Sequence, residues 1–306
     1  MRKPSRAGGV AVGALAVALT AGAFAFAPAS SAVTASTTSK VPASIQPGTP
    51  LKAVGTGPGA AASAATSVTS LQASNWAGYA ASFGTTTFRF VSAHLTVPTL
   101  DCTGVIAAHG AWSAHWVGLD GVRATSSTVE QTGLIAACDG TTQVYAPFWE
   151  MFPNAPQYPN ITVAPGDRIS MSVYYNQFTR KFTLTFSDTT NGHHFTRTRA
   201  CPAATCRRNS AEAISEAPFD ASTGTFLPLA DFQAASFANV AITNTSGTHH
   251  GGLRSSFWNT FKITQVSDGT NITVGGDPIP AGTALDTPTS LSQQRNFTDQ
   301  WAAANG

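Results

Sequence analysis

The sequence predicts an all-β protein, built as an antiparallel two-sheet β-sandwich of the concanavalin or lectin type. Short runs such as "RISMSVYY" at 168–175 and "KFTLTFS" at 181–187 alternate apolar and polar residues, which is the period of a strand with one buried face. Turn signals separate these runs, and helical periodicity is nearly absent. Two packed sheets usually leave a concave face, and such a groove suits a linear polymer such as a peptide or a glycan.

The strands can be placed in order along the chain from alternation and turn residues. "APGD" at 164–167 predicts a turn between a strand near Ile161 and the strand that starts at Arg168. Asn191-Gly192 predicts a further hairpin. The other predicted strands cover 75–82, 87–97, 115–119, 128–136, 143–151, 211–216, 238–243 and 258–266.

The chain of 306 residues divides into three parts by composition. Residues 1–32 predict a signal peptide, with a basic start, an apolar run and small residues at the end. Residues 33–70 are rich in Ala, Ser, Thr, Gly and Pro, which predicts a propeptide or a disordered leader. Residues 71–306 then form the sandwich domain.

Charge is sparse and lies unevenly along the chain. All 15 acidic residues follow position 70, whereas only 12 of the 17 basic ones do, so the predicted domain carries a formal charge of −3. This balance offers no basic patch for nucleic acid. We expect a monomer without a nucleic-acid partner, and without membrane contact once the signal peptide is removed. A low charge density also suits a secreted protein that works in acid.

Four cysteines indicate an oxidising compartment, and hence an extracellular protein. The short "CPAATC" loop favours a disulfide between Cys201 and Cys206, which leaves Cys102 to pair with Cys138. The alternative is a zinc site, but neither pair has a partner at the spacing of a zinc finger.

The common catalytic motifs are missing from the sequence. There is no G-x-S-x-G, HExxH, phosphate-loop or D-T-G-type motif. The histidine pairs at 193–194 and 249–250 lie in predicted loops beside glycine, where solvated side chains are expected. The sequence therefore predicts neither a metal site nor a cofactor.

Two strands carry polar residues that suggest chemistry. In "NSAEAISEAP", Glu212 and Glu216 share a face with Ile214, which is explained either by a cleft or by an exposed sheet edge. In "TVEQTGLIAAC", Gln131 lies on the opposite face from Glu130. Taken alone, this glutamine is better explained as a structural amide that satisfies a neighbouring backbone group.

Six sequence blocks occur in the order found in one peptidase family. They are "SNWAGY" at 74–79, "WVGLDG" at 116–121, "QTG" at 131–133, "FWEMFP" at 148–153, "GDRISMSV" at 166–173 and "NSAEAISE" at 209–216. Together they resemble the glutamic peptidases, also called eqolisins. The resemblance extends over about residues 74–266.

The resemblance implies a secreted β-sandwich endopeptidase that is made with a propeptide, acts on polypeptides at acid pH and uses a Gln and a Glu for catalysis. On this chain the pair falls on Gln131 and Glu216. Around the pair and the substrate, the matching blocks put Trp76, Asp120, Phe148, Trp149, Glu150 and Glu212. The chain departs from the family pattern at Ile135, Phe148 and Ala213, which bears on the shape of the substrate subsites.

Two other functions agree with the same predicted fold. A glycan-binding or glycan-hydrolysing sandwich is one, and a retaining glycosidase needs two carboxyl groups about 5 to 5.5 Å apart. Glu212 and Glu216 are four strand residues apart, too far at about 3.3 Å per residue, whereas Glu216 with Glu150 stays open. The other is a catalytically inactive adhesion domain, which the presence of both Gln131 and Glu216 disfavours.

Overall fold

The computed structural model describes residues 41–55, 68–106 and 110–302, so the predicted signal peptide, 1–32, lies outside the described residues. These ranges contain strands, turns and irregular segments, and no helix. The strands are β1 (Ile45–Gln46), β2 (Val68–Ala73), β3 (Trp76–Ser82), β4 (Phe88–Thr96), β5 (Ala111–Leu119), β6 (Val129–Asp139), β7 (Thr142–Phe152), β8 (Arg168–Asn176), β9 (Lys181–Asp188), β10 (His194–Ala200), β11 (Ala211–Glu216), β12 (Phe219–Asp220), β13 (Thr225–Phe226), β14 (Ala234–Asn244), β15 (His250–Gly251), β16 (Asn259–Val266), β17 (Ala284–Pro288) and β18 (Phe297–Trp301).

Most strands follow one continuous hydrogen-bonded path. Its order is β10-β9-β8-β4-β14-β18-β17-β16-β3-β11-β5-β6-β7, with neighbours antiparallel. β2 adds to β16 in parallel, β15 pairs with β14, and β1, β12 and β13 form a separate small sheet. The path folds over on itself, so that β4, β8 and β9 pack across from β5, β6 and β11.

The main core lies between these two layers. Val173 of β8 and Leu184 of β9 pack there with Val117 of β5 and Leu134 of β6, and all four are fully buried. The alternation that predicts β8 and β9 is confirmed by their burial patterns. The predicted all-β antiparallel sandwich is therefore confirmed.

A second apolar cluster covers the opposite face of the layer formed by β3, β11, β5, β6 and β7. Its buried members are Leu71, Ala73, Trp76, Ala80, Ala114, Trp116, Val122, Val129, Ile135, Ala137, Ala146, Phe148, Ile214, Phe261 and Ile263. Val41, Leu51 and Tyr158 pack against it from outside the layer. Because both faces of this layer are covered, β6 is buried along nearly its whole length, from Val129 to Cys138.

Several elements differ from the sequence prediction. The strand expected near Ile161 is absent, since that segment is irregular. β17 and β18 are not predicted, because polar residues such as Asp286 and Asp299 point into the interior and break the apolar alternation. β2 is not predicted, because its first three residues belong to the predicted leader 33–70. β10, which follows the predicted Asn191-Gly192 turn, buries only Phe195 among its seven residues.

The two predicted disulfides are present. Cys102 and Cys138 have Cα atoms 5.5 Å apart and join the segment after β4 to β6. Cys201 and Cys206, at 5.9 Å, close the loop after β10. Within the described ranges, no helix has the length and apolar content needed to cross a bilayer.

Candidate active site

Gln131 and Glu216 lie on the same face of one layer, on either side of β5. Gln131 of β6 pairs with Gly118 of β5, and Glu216 of β11 pairs with Ala114. Gly118 makes room for this arrangement, because a Cβ atom there would lie 2.8 Å from the Trp116 ring and 3.3 Å from the Cβ of Gln131. The register of β6 and β11 against β5 therefore brings both side chains to one surface.

The carboxyl group of Glu216 is fully buried and receives hydrogen bonds from two sides. The indole Nε1 of Trp116 donates to Oε2 at 2.9 Å, and the backbone N–H of Gly48 donates to the same oxygen at 2.5 Å. Thr49 Oγ1 donates to Oε1 at 3.4 Å. Burial raises the pKa of Glu216 to about 8, although these hydrogen bonds act in the opposite direction.

The amide of Gln131 is equally buried and has two acceptors for its NH₂ group. Nε2 donates to the carbonyl oxygen of Pro47 at 2.7 Å and to Glu150 Oε2 at 2.6 Å. The amide oxygen Oε1 has no hydrogen-bond partner. The glutamine is thus oriented by its nitrogen, and its oxygen remains free to accept a hydrogen bond.

Glu150 brings a second carboxyl group next to Gln131, directly opposite it on β7. Its pKa is raised well above the ordinary value, first by burial and then by the nearby charge of Glu216. A carboxyl group with a raised pKa is protonated in acid, so it adds no negative charge beside Glu216 there. A general base must be ionised, so the protonated Glu150 does not act as a second general base in acid.

Residues 41–55, which we call the strap, pass over this site. On one side, β1 pairs with β12 and Tyr158 donates a hydrogen bond to the carbonyl of Ile45 at 3.3 Å. Pro47, Gly48 and Thr49 are buried above the Gln131–Glu216 pair.

Beyond the pair, the strap is held by backbone groups and by Asn75. Leu51 N donates to the carbonyl of Gly121 at 3.1 Å, and Ala53 bridges to Ala73. The Asn75 side chain accepts from Lys52 N at 2.9 Å and donates to the carbonyl of Thr49 at 3.3 Å. The strap lies within the predicted leader 33–70, whose assignment as a propeptide stays a prediction.

Trp76 and Phe148 also lie on the face that carries the pair. Trp76 is opposite Glu216 in the β3–β11 register, and its ring meets that of Trp116 edge to face at 4.9 Å between centroids. Phe148 is buried on β7, and its ring centroid is 6.5 Å from that of Tyr158. These rings form the apolar walls around the pair.

Trp149 lies elsewhere, although the sequence blocks group it with the pair. It alternates with Phe148 and Glu150 along β7 and therefore points to the other face. There the guanidinium of Arg199 lies 4.6 Å from its ring centroid. The structure does not bring Trp149 together with Gln131 and Glu216.

Asp120 and Glu212 belong to a separate buried acidic region with Glu130. Asp120 accepts hydrogen bonds from Arg208 N at 2.8 Å, from Thr128 Oγ1 at 3.2 Å and from the Ser126 hydroxyl, so it joins the β5–β6 loop to the segment before β11. The pKa of Glu212 is raised well above its usual range, first by burial and then by its acidic neighbours. All four glutamates of the chain, Glu130, Glu150, Glu212 and Glu216, are fully buried.

A polar network lies behind β11, on the face opposite Glu216. Ser215 Oγ donates to Asp299 Oδ2 at 2.7 Å and lies 2.9 Å from His115 Nδ1. Burial lowers the pKa of His115 to about 3, so the imidazole is neutral at moderate acidity. Burial also raises the pKa of Asp299 to about 8 and that of neighbouring Asp286 well above its usual range.

Sequence reasoning missed Trp116, Asn75 and the strap as parts of this site. Trp116 and Asn75 do lie within the blocks "WVGLDG" and "SNWAGY", and the parity of β5 would have put Trp116 on the face of the pair. The strap has no comparable signal, because its composition resembles that of an unstructured leader. No cluster of three His, Cys, Asp or Glu side chains suited to a metal ion occurs within the described ranges.

Comparison with known families decides among the predicted functions. The sequence model of the Peptidase A4 family matches residues 74–277, which is more than half of the chain. The chain belongs to the Peptidase A4 family, the eqolisins. The predicted family is confirmed, and the family and the fold together support a peptidase that acts on polypeptides. This favours a peptidase over the glycan-active and adhesion alternatives.

Solved structures of other eqolisins share the fold. Scytalido-glutamic peptidase, solved with a transition state analog inhibitor, matches with a TM-score of 0.54 and 22% identity, over 75% of this chain and 98% of that chain. SCP-B, solved with the tripeptide Ala-Ile-His, matches with a TM-score of 0.50 and 21% identity, again over 75% of this chain and 98% of that chain. Aspergilloglutamic peptidase from Aspergillus niger has a TM-score of 0.47 and 24% identity, over 63% of this chain and 99% of that chain. No curated protein matches the sequence significantly.

Proposed function

We propose that this eqolisin is a secreted acid endopeptidase in which Gln131 and Glu216 catalyse the hydrolysis of peptide bonds. The observation that carries the proposal is that both side chains contact a single peptide unit, that of Pro47 and Gly48. A surface that binds one peptide group from a Gln and a Glu is suited to act on peptide groups. Trp116 and Glu150 support the two side chains from behind.

Glu216 acts as the general base and then as the general acid. Its carboxylate accepts a proton from a water molecule while the water oxygen attacks the scissile carbonyl carbon. The same proton is then delivered to the leaving nitrogen as the C–N bond breaks. The hydrogen bond from the Trp116 indole stabilises the ionised form of Glu216 during the first step.

Ionisation of Glu216 requires the strap to leave. Burial is the main cause of its raised pKa, and the strap provides part of that burial. When water replaces the strap, we expect the pKa of Glu216 to fall towards its ordinary value of 4.5. The carboxylate is then available as a base at moderately acid pH.

Gln131 stabilises the oxyanion. Its Nε2 already donates to a carbonyl oxygen, and this donor strengthens its hydrogen bond as negative charge develops on that oxygen. By analogy with other oxyanion donors, the contribution is about 2.7 to 4 kcal/mol. The unpartnered Oε1 accepts from the attacking water. An amide keeps both abilities at every pH because it does not titrate there.

The neighbouring proteins fit this function. Scytalido-glutamic peptidase has been solved with a peptide based transition state analog and SCP-B with the tripeptide Ala-Ile-His, so peptide-like molecules bind two proteins of this fold. The predicted signal peptide, 1–32, and the two disulfides favour an extracellular location. We further propose that residues 33–70 are a propeptide and that the enzyme works as a monomer without cofactor, nucleic acid or membrane.

Glu216→Gln tests the proposal, assayed on an unstructured protein substrate between about pH 3 and 5, near the ordinary pKa of glutamate. We expect proteolysis to fall at least about a thousandfold, because the proton acceptor and the developing charge are lost together. Asp188→Asn is the matched control, since it replaces a buried carboxyl group by an amide at the far end of β9. Proteolysis that survives Glu216→Gln unchanged would reject the assignment.

A further inference from the structure

Two side-chain hydrogen bonds join β5 to β11 on opposite faces of the layer. On the face of the pair, Trp116 Nε1 donates to Glu216 Oε2 at 2.9 Å. On the other face, His115 Nδ1 lies 2.9 Å from Ser215 Oγ. His115 precedes Trp116 on β5, and Ser215 precedes Glu216 on β11. The two bonds therefore lie back to back, at adjacent positions of the same two strands.

The register shows how the second bond controls the first. Trp116 and Glu216 are not direct partners, because two steps of the antiparallel register separate them, so their bond runs diagonally. The rung between them, meaning the pair of directly opposite residues, is His115 with Ser215. The length of the diagonal bond therefore depends on how closely the two strands are held at this middle rung.

The end of β11 is where such a bond is needed, because Glu216 is the last residue of the strand. Its rung is also the last in the register of β11 with β5, and Pro218, two residues further on, has no N–H to extend the ladder. The ends of an element open more easily than its middle. A side-chain bond at the preceding rung limits this opening next to Glu216.

Both partners of the middle rung are fixed by further groups. Ser215 Oγ donates to Asp299 Oδ2 of β18 at 2.7 Å, and since a hydroxyl has one hydrogen, the bond to His115 is donated by Nδ1–H. The other ring nitrogen, Nε2, lies 3.2 Å from Ser113 Oγ, which donates to the carbonyl of Ala136 on β6 at 2.9 Å. The network thus extends over β11, β5 and β6, which include both strands of the pair.

We propose that His115 and Ser215 are positioning residues of this eqolisin, which hold Glu216 at hydrogen-bonding distance from Trp116. This inference rests on the proposed function of Glu216 as the general base. Both residues point to the opposite face and act through the strands. A buried network of directional hydrogen bonds fixes one arrangement of the strands, whereas apolar side chains tolerate small shifts. Loss of the bond should therefore displace Glu216 without abolishing the fold.

His115→Asn and His115→Gln separate the bond to Ser215 from the rest of the network. The amide nitrogen of asparagine takes the place of Nδ1 and can donate to Ser215, whereas the longer glutamine puts its amide at Nε2, beside Ser113. Because burial lowers the pKa of His115 to about 3, both variants replace a neutral group by a neutral amide at about pH 4. A difference between the two variants therefore reports the contact with Ser215.

Two measurements are made on the purified full chain at about pH 4. Steady-state cleavage of a fluorogenic peptide gives kcat and KM. The NMR resonance of the Trp116 indole Nε1–H, assigned by its absence in Trp116→Phe, reports the bond to Glu216 without reference to activity. Ser267→Ala is the control for general destabilisation, because Ser267 is also fully buried and donates to a backbone carbonyl, that of Ile279, at 2.9 Å.

We expect His115→Gln to lower kcat by roughly tenfold to a hundredfold with little change in KM, because a displaced general base affects the chemical step and not substrate binding. The indole resonance should move in this variant. In the pH profile of kcat/KM, the limb that reports Glu216 should shift to higher pH by up to about 1 unit, since the indole bond is weakened. His115→Asn should keep kcat within about threefold of the wild type and, like Ser267→Ala, leave the indole resonance in place.

An unchanged kcat in His115→Gln, in a protein whose cleavage Glu216→Gln abolishes, would overturn the positioning role and leave the proposed function standing. An equal loss of kcat in His115→Asn or Ser267→Ala would also overturn it, because the effect would then follow stability and not the bond to Ser215. If cleavage survives Glu216→Gln, the proposed function falls, and the positioning role with it.

Ser215→Ala provides a second variant if His115→Gln does not fold. It removes the hydroxyl from the middle rung and leaves the imidazole beside Ser113. We expect the same displacement of the indole resonance and a fall in kcat of roughly tenfold or more. Wild-type values of both quantities in Ser215→Ala would overturn the positioning role.

Discussion

Gln131 donates a 2.6 Å hydrogen bond from its amide nitrogen to the carboxyl group of Glu150, its direct partner across β6 and β7. This bond determines which end of the amide faces the substrate. Nε2 is held between Glu150 and the carbonyl of Pro47. The oxygen Oε1 therefore points away from both of these acceptors. A glutamine without such a partner could rotate by half a turn and present the wrong atom.

Glu150→Gln and Glu150→Ala separate orientation from charge. Because the pKa of Glu150 is raised, its carboxyl group is neutral in acid, and the amide oxygen of a glutamine replaces it as an acceptor. We expect Glu150→Gln to keep kcat within about twofold of the wild type, and Glu150→Ala to lower kcat by up to about a hundredfold through misplacement of Gln131. Steady-state kinetics at about pH 4 checks both. An equal loss in the two variants would show that an ionised carboxylate is needed at this position.

Trp116→Phe tests the hydrogen bond that stabilises ionised Glu216. Without the indole N–H the charged carboxylate loses a donor, so its pKa rises, by about 1 to 2 units if the bond has the usual strength of one to a charged group. In the pH profile of kcat/KM, the limb that reports this ionisation should move to higher pH by the same number of units. Trp258→Phe is the control, since Trp258 is also buried but donates to the carbonyl of Leu253. An unmoved limb in Trp116→Phe would contradict the role given to the indole.

Stability should decrease as the pH rises from about 4 to about 8. Burial raises the pKa of both Glu216 and Asp299 to about 8, above the ordinary values of 4.5 and 3.8. A raised pKa in the folded state means that folding binds protons. The contribution of such a carboxyl group to the free energy of unfolding is therefore full below its unfolded-state pKa, and it is lost as the pH rises through its folded-state pKa. Each group contributes a slope of about 1.4 kcal/mol per pH unit within this window.

Urea unfolding at several pH values measures this slope. Asp299→Asn removes one of the titrating groups and keeps an oxygen that can accept from Ser215. We expect a shallower decrease of the free energy of unfolding in this variant than in the wild type. A wild type that is more stable at pH 8 than at pH 4 would contradict burial of neutral acids in the core.

The parts of the fold that alternation could predict are those with one apolar face. β8 and β9 follow their sequence patterns closely, whereas β6 and β11 are buried on both faces, and their register across β5 is what puts Gln131 and Glu216 on one face. β17 and β18 escape prediction because buried aspartates occupy interior positions, where their carboxyl groups depend on a network that only the folded chain assembles.

The position of Trp149 shows a different limit. A sequence block groups neighbours in the chain, but adjacent residues of a strand point to opposite faces, so Phe148 and Glu150 face the pair while Trp149 faces Arg199. The strap shows a third limit. Its backbone hydrogen bonds, such as Leu51 N to the carbonyl of Gly121, carry no side-chain signature, and its placement depends on a surface formed by distant strands.

Burial of every glutamate has a consequence for proton uptake. Glu130, Glu150, Glu212 and Glu216 all have raised pKa values, so in the folded protein their protons stay bound through the pH range in which ordinary glutamates titrate. Unfolding at pH 6 therefore releases protons into the buffer. The heat measured by calorimetry then includes the protonation enthalpy of the buffer, and it differs between buffers of unequal ionisation enthalpy.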